Sequence, residues 1–364
     1  MLFRSDALTE GAYGMSSGLE YPPGFFADAP ELSVVAEPMS ALGGIYSTHI
    51  RNEGENLLDA IDEAIEVGEA AGVPVQISHI KAVGPSNWGK VKDALGRMEE
   101  ARRRGVDVTA DAYPYTASST SLGIILPDWA HSGGRKAAVQ RLRDPDTRET
   151  LKRLAEQITE KNGGFWRIVV TSVRSEKNKG YEGMDIAAIA DKMGMGQCDA
   201  AFTLLVEEEM NVNVVRHGMS SDDLKCVIAH PLVMFCSDGS ALAADGPLAD
   251  RGKVHPRNFG AFPRVLGEFV REQNVLRLEE AVRKMTSLPA ARLGLTRRGL
   301  IRPGFYADLV LFDGGRVRDT ATYAEPHSYP EGIHGVWVNG VRVAEDGRLT
   351  GALPGRSLRM GRRV

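Results

Sequence analysis

Cysteine is scarce in this chain: Cys198, Cys226 and Cys236 are the only three in 364 residues, with no CxxC pair and no zinc-ribbon spacing. An odd, scattered set of thiols excludes a disulfide scaffold and fits a reducing compartment. Long apolar runs are missing too. No stretch of about 18 apolar residues occurs, so no membrane-spanning helix is expected. The segment MLFRSDALTEGAYG lacks an apolar core of signal-peptide length. Positive charge is not in excess: 44 Lys and Arg against 48 Asp and Glu leave a net charge of −4. Nucleic acid and anionic membranes therefore find no electrostatic footing. No GxGxxG or GKT phosphate loop is present, and Ser16-Ser17-Gly18 lacks the flanks of a nucleophile elbow. The expectation is a cytoplasmic globular chain with a small-molecule partner. The sequence is compatible with a homo-oligomer and does not specify one.

What is present suits an α/β enzyme. The hydrophobic fraction of 43% is enough for a sizeable core, in two domains or one large barrel with an appendage. Gly44–Ile50, Val73–Ile80 and Val106–Tyr115 read as strands. Glu55–Gly72 and Trp88–Gly105 read as helices between them, each ending at a glycine. That alternation predicts a parallel sheet with βαβ crossovers. The pattern loosens over about 120–225. There the helical stretches are Gly134–Lys161, Asp185–Gly194 and Asp199–Asn211, with one strand at Trp166–Val173. This segment reads as an insertion of the kind that carries substrate contacts. The core pattern resumes with LVMFCSD at Leu232–Asp238, followed by helices near Phe262–Gln273 and Leu278–Leu293. From 299 to 364 the texture becomes alternating strands with an Asn339-Gly340 hairpin signal, a small all-β unit. The first unit then spans 1–298.

Three of these strands end in a metal-competent or acidic residue: His49, His79 and Asp238. Active sites of parallel α/β folds lie at the C-terminal strand ends, and a polar group on a buried strand is costly unless it is used. Singly, each histidine reads as an ordinary hydrogen-bonded side chain. At matching positions on three strands, with Asp238, they read as a metal site. Neutral imidazoles suit Zn²⁺, which activates water and polarises a carbonyl. Asp238 could take the water's proton and pass it to a leaving amine. Lys81 leaves the same strand end as His79, Tyr113 and Tyr115 end the next strand, and Arg257 follows Asp238. An arginine with a tyrosine suits a substrate carboxylate, although Lys81 and Arg257 read equally as salt-bridge partners. Arg51 and Glu53 either pair with each other or orient ligands. His217, His230 and Cys236 read as structural.

The segments GAYGMSSGLEYPPG, STHIRNEG, QISHIKAVG, TADAYPY, FCSDGS and HPRNFGAFPRVLGEF, in this order, resemble the N-acyl-D-amino-acid deacylase (D-aminoacylase) branch of the amidohydrolase superfamily. So do MTSLPAARLGL, GLIRPGFYADLVLFD and GVWVNGVRV toward the end. The resemblance covers nearly the whole chain and is weakest over about 120–225. It implies a distorted (β/α)8 barrel of the TIM type with a small β-sandwich, and zinc-dependent hydrolysis of N-acyl-D-amino acids to a carboxylate and a D-amino acid. It also implies that His49 and His79 are metal ligands on the fifth and sixth strands and that Asp238 is the eighth-strand acid/base. Lys81, Tyr113 and Arg257 resemble substrate-contacting positions, with Tyr115 the alternative to Tyr113.

The sequence departs from that family at one point. No HxH motif and no early cysteine are present, whereas the family's first strand carries HxH and an early strand a cysteine ligand. The resemblance therefore implies a partial barrel, strands four to eight, in an N-terminally truncated chain with an incomplete site for one or two zinc ions and impaired activity. Rival readings are a dihydropyrimidinase-like enzyme and a non-catalytic remnant. The first is disfavoured because Tyr13–Ser17, the fourth-strand candidate, has no lysine to bridge two metals. The preferred side chain of the amino acid stays open, with D-glutamate and D-aspartate derivatives among the candidates.

Overall fold

A computed structural model of the chain describes residues 2–245, 249 and 252–360. Parts of the two expected units, residue 1, residues 246–248, 250 and 251, and 361–364, lie outside the described residues. Strands β1 (Gly14–Gly18), β2 (Ile45–His49), β3 (Val75–Ile77), β4 (Val108–Ala112), β5 (Ser118–Ser121), β6 (Ile168–Ser172), β7 (Asn213–Arg216), β8 (Val233–Phe235) and β9 to β12 (Leu309–Phe312, Ile333–Val338, Val341–Glu345, Arg348–Leu349) form three sheets. The main sheet is parallel in the order β1-β2-β3-β4-β8.

Helices cover that sheet because their apolar residues fall on one stripe. Leu57–Ala71 buries Leu57, Ala60, Ile61, Ala64, Ile65, Gly68 and Ala71, and stops at Gly72 in the left-handed conformation. Val91–Arg103 buries Val91, Ala94, Leu95, Met98 and Ala101. Tyr46 of β2 and Val75 and Ile77 of β3 pack in the same core. All five strands run the same way, so their C-terminal ends share one rim. A cavity of about 680 Å³ opens at the opposite end of the sheet, among Tyr13, Ile45, Pro74 and Asp107. It contains none of the histidines.

The insertion between β4 and β8 is a subdomain rather than a long loop. Its antiparallel sheet β5-β7-β6 packs with four helices around its own core, including Leu122, Leu142, Leu151, Phe202 and Leu205. The single helix expected over Gly134–Lys161 is two, Gly134–Arg143 and Pro145–Lys161. Pro145 cannot continue a helix but suits a first turn, and Asp144 caps it by accepting from the Thr147 N–H at 2.9 Å. Leu278–Leu293 also divides, at Thr286, into Leu278–Met285 and Ser287–Arg292. The helix expected near Phe262–Gln273 begins earlier, as Arg257–Arg264 with Pro263 inside it, and continues as π-helix over Val265–Glu272. The terminal sheet, β12-β11-β10-β9, turns at Asn339-Gly340 with both φ angles positive, the signature of a two-residue hairpin.

Two glycines in these helices behave oppositely. A Cβ on Gly68 would stand 2.1 Å from Val75 Cγ2 on β3, whereas one on exposed Gly96 meets nothing within 4 Å. Gly68→Ala is expected to destabilise the chain by about 1–3 kcal/mol, and Gly96→Ala to stabilise it by about 0.5–1 kcal/mol. Urea unfolding of the two variants checks this; shifts of the same sign would contradict the packing described.

Candidate active site

The rim at the C-terminal strand ends gathers most of the ionisable groups singled out in the sequence. His49 is the last residue of β2. His79 lies two residues past β3 and Asp238 three past β8, with φ of 38° and 48°. Left-handed backbone at non-glycine residues is strained and persists only where the surroundings impose it. For His79 those surroundings are Asp111 on β4. Its carboxylate accepts from the His79 N–H at 2.8 Å and from Gln76 Nε2 at 2.7 Å, while Gln76 Oε1 accepts from Thr109 at 2.6 Å. The Asp111 carbonyl accepts from the Ile80 N–H.

The two imidazoles meet with His79 Nε2 and His49 Nδ1 2.5 Å apart. On its far side, His79 Nδ1 is 3.0 Å from Glu53 Oε1 and 2.7 Å from Lys81 Nζ. Lys81 also donates to Glu53, and all three side chains are buried. Burial raises the Glu53 pKa, but Lys81 and His79 outweigh it and hold the carboxyl well below the usual range. Where the ionised Glu53, rather than Lys81, is the hydrogen-bond partner of His79 Nδ1, that nitrogen carries the proton and Nε2 is bare and directed at His49. Burial, then His79, lowers the His49 pKa against the opposing pull of Asp238 and Glu53. His49 is therefore neutral at neutral pH, with one bare nitrogen. Two imidazole nitrogens that face one point become, once both are unprotonated, donors of the kind a divalent transition metal takes, so the pair fits a metal in chemistry. In number it falls short: among the described residues, no group of three His, Cys, Asp or Glu is arranged to hold one.

On the other side of the mouth, Arg257 Nη1 pairs with Asp238 Oδ2 at 2.8 Å. The Tyr113 ring lies between two cations, Arg257 at 4.8 Å and Lys81 at 5.6 Å from its centroid. Burial pushes the Tyr113 hydroxyl far up despite Arg257, so it stays a donor. Tyr115 is turned away, toward Asp319 and Arg264. Arg51 does not pair with Glu53; it binds Glu63 and the carbonyls of Phe25 and Ala27. His230 binds Glu99, and His217 meets Tyr323 edge-on at 4.8 Å between centroids, so neither joins the histidine pair. Cys236 packs beside Asp111, where burial drives its thiol pKa well up.

Four residues gain weight that the sequence reading did not give them. Glu53, readable in the sequence either as a partner of Arg51 or as a ligand-orienting acid, lies against His79 and Lys81. Asp111 carried a usable signal, an acid inside an otherwise apolar strand. His255 is buried under Tyr113, Tyr115 and Tyr323; it donates from Nε2 to the Ala117 carbonyl and accepts the Arg257 N–H on Nδ1. Glu20, the second residue past β1, stands where burial and the neighbouring Glu53 push its pKa up to about 7. Nothing in local patterning marks Glu20, because it stands on a loop.

Comparison with known proteins gives these residues a context. The family model described as the amidohydrolase family matches residues 27–344. D-aminoacylase of Alcaligenes xylosoxydans xylosoxydans is 35% identical over 353 residues, which are 97% of this chain and 62% of that protein. N-acyl-D-glutamate deacylase of the same organism is 35% identical over 93% of this chain and 59% of its own length. The chain thus spans about three fifths of the curated relatives it matches. Among solved structures, N-acyl-D-glutamate deacylase from Bordetella bronchiseptica, complexed with zinc and a phosphonate inhibitor, superposes with a TM-score of 0.77 at 34% identity, covering 98% of this chain and 64% of that one.

The buried, neutral His255 makes a pH prediction. Burial, then Arg257, depresses its pKa to about 3, from about 6.5 when exposed. The unfolded chain therefore binds a proton between these values that the folded chain does not, and stability is lost as pH falls from about 6.5 toward 3. In His255→Asn the side-chain oxygen can still accept the Arg257 N–H, but the titration is gone. Between pH 6.5 and 4.5 the parent chain should lose on the order of 2 kcal/mol more than this variant, measured by urea unfolding at both pH values. Equal losses would show that His255 is not held neutral.

Proposed function

We propose that this chain, which belongs to the amidohydrolase family, hydrolyses the amide bond of N-acyl-D-amino acids, releasing a carboxylate and a D-amino acid. The observation that carries the proposal is the line Glu53–His79–His49, in which two imidazole nitrogens meet and a buried carboxylate backs the far nitrogen of His79, with Asp238 across the mouth. The relatives, which are D-amino-acid deacylases, supply the substrate class. His49 and His79 would hold a divalent metal ion, zinc by this reading. When bound, the metal supplies Lewis-acid polarisation of the scissile carbonyl and activation of water. Two nitrogen ligands are fewer than the three protein ligands usual for catalytic zinc, so affinity is expected to be modest and activity correspondingly reduced.

The chain's own groups supply the rest. Asp238 accepts the proton of the attacking water and returns it to the leaving amine nitrogen. Arg257, bound to one Asp238 oxygen, aims the other into the mouth. Lys81, the Tyr113 hydroxyl and the remaining guanidinium donors of Arg257 grip the α-carboxylate, with Glu53 fixing the Lys81 ammonium in place. In this reading the five parallel strands are strands four to eight of a (β/α)8 barrel, residues 120–225 are an insertion in it, and residues 299–364 belong to the small β unit. The order of the parallel strands and the likeness to the deacylase structures support that assignment.

The reading predicts separable variants. His49→Ala and His79→Ala should each abolish zinc binding measured by chelator competition. Asp238→Asn should retain zinc and thermal stability while lowering turnover of an N-acetyl-D-amino acid by about 10²- to 10⁴-fold. Absence of any D-selective hydrolysis by the zinc-loaded chain, or an Asp238→Asn variant as active as its parent, would refute it.

A further inference from the structure

Most of the charged groups around the mouth are already paired. Glu53 is matched by Lys81 and His79, and Asp238 by Arg257. Glu20 is the exception. It follows β1, whose last residue, Gly18, pairs in register with His49, and the Leu19 N–H donates to the His49 carbonyl at 2.9 Å. That connection places Glu20 on the rim directly beside the His49 strand end. The next residue ties the loop to the insertion, because the Tyr21 hydroxyl and Thr120 Oγ1 on β5 are 2.9 Å apart. Arg216, at the end of β7 and opposite Ser118 of β5, is buried there with an unpartnered Nε.

Glu20 therefore sits between the rim and the overhanging insertion. It feels Glu53, Arg216, Lys81 and His79 through space, and its carboxylate has no hydrogen-bond or ion-pair partner among the described residues. It is only partly exposed. A sheltered carboxylate without a partner costs free energy, and a ligand that supplies a donor relieves that cost. The cations expected to take a substrate's carboxylate, Lys81 and Arg257, each already face an acid of the chain, so neither is spare for a second carboxylate. Arg216 acts on Glu20 through space, with no hydrogen bond or ion pair between the two among the described residues.

We infer that Glu20 reads the side chain of the substrate, selecting N-acyl-D-amino acids whose side chain ends in a cation or a hydrogen-bond donor and disfavouring acidic ones. This rests on the deacylase reading above and narrows its substrate class. An attractive contact and a repulsive one act together here, which is how specificity is commonly built. The same geometry makes a stronger demand: neutralising Glu20 unmasks Arg216 and should move the preference toward acidic side chains.

The test is calorimetric binding to the zinc-loaded chain, which does not depend on turnover. The probes are N-acetyl-D-lysine, N-acetyl-D-glutamate and N-acetyl-D-methionine, with the L enantiomers as controls. The parent chain is expected to bind the lysine derivative at least about tenfold more tightly than the glutamate derivative, a difference of about 1.4 kcal/mol. Glu20→Gln, nearly isosteric, should bring that ratio to one or below, and Glu20→Asp should keep part of it. A parent chain that favours glutamate or does not discriminate would overturn the inference, as would a ratio unmoved in Glu20→Gln, and in each case the deacylase reading would stand. Failure of every D compound to bind would overturn the deacylase reading itself, and the inference with it.

Discussion

A buried carboxylate governs this mouth. Glu53 lies buried beneath it, and an isolated carboxylate there would cost many kcal/mol. The chain offsets that cost with two partners, the Lys81 ammonium and the Nδ1–H of His79. Each partner is thereby committed. Lys81 cannot swing freely to solvent, and His79 cannot adopt the tautomer with its proton on Nε2 without surrendering its bond to Glu53. The requirement to satisfy one acid thus favours a proton on His79 Nδ1, against Lys81, which can donate to the same nitrogen.

The backbone cooperates through a second acid. Asp111 holds the His79 N–H in a turn that residues with a Cβ rarely adopt, and its strand lies beside the one that carries His79. The ladder β2-β3-β4 is therefore also a chemical sequence: His49 on the first strand, His79 and Lys81 past the second, Asp111 and Tyr113 on and just past the third. Asp238 arrives from β8, and Arg257, propped by neutral His255, locks it from the following helix. Little of this is carried by flexible side chains acting alone. Parallel strands with apolar sides deliver polar residues at their ends, and buried acids fix how those residues point.

Much of this was legible in the sequence because strand ends have a readable grammar. VPVQISHI and LVMFCSD are apolar runs that finish in a polar residue, and the helix Leu57–Ala71 announced itself by spacing and by Gly72. The hairpin at Asn339-Gly340 was equally plain. Other features depend on contacts between residues far apart, which periodicity does not encode. Glu53 lies 28 positions from the lysine that neutralises it. Arg51 was open to pairing with Glu53 but found Glu63 on the following helix. The strands Ser118–Ser121 and Asn213–Arg216 are short and partly polar, so the insertion's sheet was seen only through β6. The helix breaks at Pro145 and Thr286 were lost inside amphipathic patterns that continue on both sides. Glu20 has no pattern at all, since its meaning comes from what surrounds it.

The central claim is that Glu53 sets the tautomer of His79 and so presents a bare Nε2 toward His49. Two-bond ¹⁵N–¹H spectra of the histidine-labelled chain test it directly, at neutral pH, before and after zinc is added. The account predicts a protonated Nδ1 and an unprotonated Nε2 for His79 in the metal-free chain, with zinc then shifting His79 Nε2 and His49 Nδ1 and no other histidine nitrogen to a comparable degree. In Glu53→Gln that tautomer preference should weaken. A His79 protonated on Nε2 in the parent chain, or zinc shifts that fall on other histidines, would contradict it.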